Sequence, residues 1–219
     1  MERAEEEKKV EIDDVRYQPD LPEDELEKIR RDPIGLWIYS AILKGDYKTG
    51  FLKQAVEQNG GAPLHSPELV FRASRDGWYA DAFHRACDRR WGRFLLLLRA
   101  SSKFICGGFS SLPWASEGGP VLDEKALLFS INRERVFKPR EAEGAVEHSE
   151  DYGPVFGNQS LAVRFNMREG YCSTNGGPTD LFDIPTDWKG NSLLTGEGSR
   201  RLPDAKEFSI EELEVFYFE

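Results

Sequence analysis

Three cysteines, three histidines and the Gly107-Gly108 pair are the residues of this sequence whose types and spacing invite a chemical reading. A cysteine nucleophile works as the thiolate, so it needs a base or a positive charge beside it to lower the thiol pKa. Cys106 lies in Phe104-Ile105-Cys106-Gly107-Gly108-Phe109, an apolar run that offers neither, and it reads as a buried structural thiol. His84 and Cys87 stand three apart and could share a helix face as a dyad or as half of a metal site. Cys87, however, falls on the apolar stripe and His84 toward its polar edge, while His65 and His148 fall in loop-like segments. Gly107-Gly108 is not followed by the lysine, hydroxyl residue and helix start of a phosphate-binding loop, and glycine inside a strand marks a bulge or a close approach of backbones. The acidic stretch from Glu141 to Asp151 lacks the alternating ligands of a calcium loop and reads as solvated. No Ser/His/Asp, Cys/His or paired-carboxylate arrangement is recognisable, so the residues nominate no catalytic, cofactor-binding or metal-binding group.

The elements that must position these residues follow from periodicity. Leu36, Trp37, Tyr39, Ile42 and Leu43, then Phe51, Leu52, Ala55 and Val56, recur at helical spacing and predict two short helices within 34–60, joined at Lys44-Gly45-Asp46 and stopped at Gly60-Gly61. Leu69 to Ala73 reads as a strand. Asp76-Gly77 then turns the chain into an amphipathic helix with Tyr79, Ala82, Phe83, Ala86 and Cys87 on one face. Arg93 to Arg99 and Lys103 to Phe109 form a hairpin, and the unbroken leucines of its first strand imply cover on both faces. Ala126 to Ile131, Arg135 to Lys138, Leu161 to Phe165 and Leu213 to Phe218 add strands, the last carrying a bulge near Glu211. The expected class is α+β, helices first and an antiparallel β body over 68–219.

Composition bounds the function. A chain of 219 residues with net charge −10 suits one domain plus an appendage, and an acidic balance repels nucleic acid. The odd cysteine count without CxxC spacing argues against a disulfide framework and for a reducing, intracellular compartment. Residues 1–33 hold thirteen acidic and seven basic side chains and read as a charged N-terminal arm, partly helical or disordered. The first residues carry no apolar targeting core, and the five apolar residues Phe94 to Leu98 are far short of the roughly 20 that span a bilayer, so no transmembrane segment is expected.

The order of the pieces is more specific than any one of them. "SAILKGDYKTGFLKQAV", "LVFRASRDGWYADAFHRACD", "FICGGFSSLPWASEGG", "ALLFSI", "YGPVFGNQSLAV", "LLTG" and "FSIEELEVFYF" together resemble the TLDc domain family, from near Ser40 to the end of the chain. The resemblance implies a two-sheet antiparallel β-sandwich flanked by helices, with the Gly-Gly pair in a central strand. It marks Asp76, Gly77, Phe83, Gly107, Gly108, Phe129, Phe156, Gly157 and Glu214 as structural motif positions. Cys106 stands where an aromatic residue is usual, and Phe156-Gly157-Asn158 where the family often has a second Gly-Gly. The missing catalytic constellation, the charged arm and the short apolar helices ahead of the β body point to a noncatalytic interaction module, with no cofactor expected. Its partner would be a larger intracellular assembly, the resemblance implying the vacuolar-type proton ATPase as the specific candidate and a role in protection against oxidative stress. The rival expectation is a thiol-based redox sensor or weak peroxide-reactive enzyme that uses Cys87, Cys106 or Cys172.

Overall fold

The computed structural model of the chain describes residues 38, 40–43, 50–60, 67–173, 180–185, 194 and 207–219. The expected arm 1–33, residues 34–37 and 44–49, and His65 lie outside the described residues. The elements begin with α1 (Gly50–Gly60), β1 (Glu68–Arg72), the single turn α2 (Ala73–Asp76) and α3 (Ala80–Cys87). Strands follow as β2 (Arg93–Ala100), β3 (Ile105–Ser110), β4 (Gly119–Val121), β5 (Leu127–Ser130) and β6 (Arg135–Phe137). The remaining strands are β7 (Val146–His148), β8 (Val155–Phe156), β9 (Leu161–Val163), β10 (Glu169–Tyr171) and β11 (Glu207–Phe218). The fold is mostly antiparallel sheet with few helices. Its strands run in the order β4-β7-β8-β9-β10-β11-β2-β3-β5-β6, with β1 added on β11.

β11 is the pivot of this order. Its first residues pair with β10, from Glu169↔Ser209 to Tyr171↔Glu207, while Ile210 to Phe218 pair with β2. The register shifts between Ile210 and Glu212, so the expected bulge near Glu211 is present. An extra residue bends its strand and increases the twist, which suits a strand shared between two neighbourhoods. The Arg99 Nε donates to Glu211 at 3.3 Å and Lys103 Nζ also donates to it, so the extra residue faces two cations.

The leucine run is buried on both faces: Leu95 to Leu98 are each 2% exposed or less. Its partner across the hairpin is the glycine pair, with Leu96 opposite Gly108 and Leu97 opposite Gly107. Both glycines are required by proximity. A Cβ on Gly107 would stand 1.9 Å from the Leu96 carbonyl oxygen and 2.8 Å from Phe129, and one on Gly108 would stand 2.5 Å from the Phe156 ring. Phe156 belongs to β8, five places from β3 in the strand order, so this contact joins two strands that share no ladder.

Several local expectations are corrected. The stretch 40–43 is bent rather than helical, because the Ser40 hydroxyl accepts the backbone N–H groups of Ile42 and Leu43, both at 3.0 Å, as a hydroxyl does when it competes with helix formation. The second expected helix is α1, with Leu52 and Val56 fully buried. The acidic stretch is not a solvated loop throughout: Ala145 and Val146 are fully buried, and β7 places His148 in a strand. The strand expected to reach Phe165 stops at Val163, and Phe165 is 52% exposed. Among the described residues no helix is long and apolar enough to cross a membrane.

Candidate functional site

The helix α3 carries the polar side chains with the richest surroundings. Gly77, at φ +118°, donates its N–H to the Ala73 carbonyl at 3.0 Å and ends α2, and Asp76 accepts the Arg72 backbone N–H at 2.8 Å. The chain then enters α3 with Ala82, Phe83 and Cys87 turned inward and Asp81 and Arg85 outward. Phe83 meets Phe71 and Trp114 edge-on at 6.0 and 5.7 Å, which fixes the helix against the core.

His84, expected at the polar edge of that stripe, is buried and clamped. Its Nδ1 lies 3.1 Å from Asp88 Oδ1 and its Nε2 lies 2.9 Å from the Tyr152 carbonyl oxygen. Both neighbours are acceptors, and a neutral imidazole has only one N–H to give. An imidazolium, with two N–H groups, satisfies both acceptors, where the neutral ring satisfies one. Burial opposes that charge, but the hydrogen bonds to Asp88 and Tyr152 outweigh it and hold the His84 pKa above its usual value. Burial likewise opposes the Asp88 carboxylate, and its hydrogen bonds to His84 and Ser116 keep its pKa low. The Ser116 hydroxyl donates to the other oxygen of Asp88 and does not face a histidine nitrogen, so serine, histidine and aspartate meet here without the geometry of an activated nucleophile. Nearby, the His148 ring lies at a 52° tilt to Trp114 with centroids 5.7 Å apart, and burial lowers its pKa. Its Nε2 is buried with no hydrogen-bond partner among the described residues.

The cysteines are in no position to react at once with solvent oxidants. Cys87, Cys106 and Cys172 are fully buried, and burial pushes the Cys87 and Cys106 thiols well above the usual range. Among the described residues, no group of three or more His, Cys, Asp and Glu side chains could hold a metal ion. Gly107 and Gly108 are inside β3, and Phe129 and Phe156 are the rings that cover them. Gly157 has φ +60° and lies under Phe182.

Glu214 organises a second polar centre. It is fully buried, and Arg72, its partner across β1 and β11, donates from Nε to Oε1 at 2.8 Å. The same carboxylate accepts the Ala41 backbone N–H at 3.0 Å and the Ser40 hydroxyl. The resemblance marked Glu214 as a motif position, but reasoning from sequence missed its pairing with Arg72, Ser40 and Ala41 and the link from His84 to Tyr152. The available signal for the first was one opposite charge in each of two apolar strands, Leu69-Val70-Phe71-Arg72 and Leu213-Glu214-Val215-Phe216.

Beside α3 opens a hollow of about 660 Å³, lined from four parts of the chain, among them Asp81, Asp88, Arg89, Glu150, Asp151 and Phe165. These features define a β-rich antiparallel domain whose best-placed titratable side chains tie elements together. The class is narrowed by comparison with known families: a TLDc domain model matches residues 40–219, and the chain belongs to that family. The match begins at Ser40, the residue that Glu214 anchors. No curated protein matches the chain.

Proposed function

We propose that this TLDc chain is a noncatalytic interaction module that docks on, or is built into, a larger intracellular assembly, in the cytoplasm or on the cytoplasmic side of an organelle. The observation that carries this reading is the engagement of His84: one ring nitrogen is held by Asp88 and the other by the Tyr152 carbonyl, so neither is free for a substrate. In the same reading the strand path acts as a two-sheet sandwich, supported by Phe156 of β8 lying over Gly108 of β3. The nine motif positions serve that scaffold, and the domain of 34–219 follows an acidic arm of 1–33. The vacuolar-type proton ATPase is the favoured partner and protection against oxidative stress the favoured role, both by family resemblance. Affinity purification from the native source at near-physiological salt, followed by a native gel, tests this. A stoichiometric complex is expected, with ATPase subunits co-migrating; a lone monomer sinks the module reading, and a different complex removes the ATPase alone.

The rival thiol reading requires one reactive thiolate among Cys87, Cys106 and Cys172. Full burial and the raised thiol pKa values weigh against it, since reactivity follows the exposed thiolate. Slow labelling of all three thiols in the folded protein is expected, and a single fast thiol revives the rival.

A further inference from the structure

The hollow beside α3 has two features that the His84 clamp does not use. The first is a pair of rings at its edge: Phe165 lines the hollow and is 52% exposed, and Tyr79, 56% exposed, packs against it with centroids 5.7 Å apart at a 55° tilt. The ledge is fixed by main chain, because the Ala80 N–H donates to the Phe165 carbonyl at 3.0 Å and Tyr79 bridges to Asn166. The second is charge. Asp81 is matched by Arg85 at 2.6 Å and Asp88 by His84 at 3.1 Å, whereas Glu150 and Asp151 add two carboxylates to the lining against the one further cation, Arg89. The loop that bears them is held to α3 through the Tyr152 carbonyl and His84. An aromatic ledge and a carboxylate pair, both anchored to one helix, form a surface that is organised before anything binds.

Ring faces attract cations, and carboxylates attract them further, while an acidic segment would meet like charge. The geometry points to a docking site for a basic segment of a partner protein, with a lysine or arginine side chain laid on Phe165 and Tyr79 and paired with Glu150 and Asp151. This rests on the interaction-module reading and gives it a surface.

The test uses the full chain and a fluorescein-labelled eight-residue peptide of alternating arginine and alanine, with a glutamate-for-arginine peptide as control, read by fluorescence anisotropy. Two variants address the site: Phe165→Ala with Tyr79→Ala, and Glu150→Lys with Asp151→Lys. Glu134→Lys with Glu143→Lys makes the same charge change outside the hollow. Each site variant should weaken arginine-peptide binding by about tenfold or more, and the outside variant by no more than about twofold. Melting curves identify a variant that fails to fold, in which case the other site variant decides. Equal binding across all variants, or a loss as large in the outside variant, overturns the proposal, as does equal binding of the glutamate peptide. If wild-type chain captures its native assembly and Glu150→Lys with Asp151→Lys captures it as well, this site is wrong and the module reading stands. If wild type captures nothing while the peptide data hold, the hollow is real and the module reading fails.

Discussion

Arg72 and Glu214 face one another across β1 and β11, with Arg72 Nε 2.8 Å from Glu214 Oε1 and the glutamate wholly buried. The same carboxylate holds Ser40 and the Ala41 N–H, so one side chain joins the start of the family-matched region to its closing strand. A buried pair of this kind is weak evidence for net stability, but breaking it leaves an uncompensated charge.

Glu214→Ala should therefore destabilise by about 3–5 kcal/mol, and the double change Arg72→Met with Glu214→Leu should recover much of that loss. Urea unfolding of the wild type and the two variants measures it. Equal loss in the single and the double variant would show that the Ser40 and Ala41 bonds, and not the buried charge, carry the effect.

The two glycines of β3 should respond differently to alanine. In Gly107→Ala the new methyl group meets the Leu96 carbonyl, which cannot yield without breaking the hairpin register, whereas in Gly108→Ala it meets a side-chain ring. Overpacking of the second kind costs about 1–3 kcal/mol. Gly107→Ala should yield little folded protein, and Phe156→Leu should partly rescue Gly108→Ala; melting temperatures and soluble yield decide.

His84 predicts a pH dependence of known sign. Its pKa is raised in the folded state above the ordinary 6.5, so the folded protein holds the proton more tightly than the unfolded chain does. That stabilisation is fully present below about pH 6.5 and is lost as pH rises through the raised value. His148, with a lowered pKa, acts in the opposite sense: its contribution is present above its unfolded value and is lost as pH falls through the folded one. Comparing wild type with His84→Gln isolates the first effect. The stability gap should be largest near about pH 5.5 and shrink by about pH 8.5, and a gap that grows with pH contradicts the imidazolium assignment.

Cys106 and Ser130 are register partners across β3 and β5, and the Ser130 hydroxyl has no hydrogen-bond partner among the described residues. Cys106→Ser brings a second hydroxyl to a neighbouring position on the same face, so its cost should fall at the low end of the roughly 1–3 kcal/mol expected for an unsatisfied buried hydroxyl. Cys87→Ser, without such a partner, should cost more, and Ser130→Ala should be neutral or stabilising. Denaturant midpoints settle the ranking.

What was legible in the sequence was what repeats or is long. The β2–β3 hairpin and β5 announce themselves by runs of apolar residues, α1 by apolar residues at helical spacing, and the bulge at Glu211 by an acidic pair set in a strand-forming segment. Strands of two or three residues, such as β8 and β10, are too short to show a period and are defined only by their neighbours. The site divides in the same way. Asp88 lies one helical turn from His84 and was within reach of pattern reasoning, but the Tyr152 carbonyl, 68 residues away, is supplied by tertiary structure alone.

Because β11 follows β1, β2 and β10 in the chain and pairs with all three, none of them gains that neighbour until the segment 207–218 has emerged from the ribosome. During synthesis the leucine edge of β2 waits without its later partner, and a pause there exposes apolar strand surface to other nascent chains. Closure then joins segments far apart in sequence, and non-local pairing of this kind delays folding because the loop-closure entropy must be met before the contacts form.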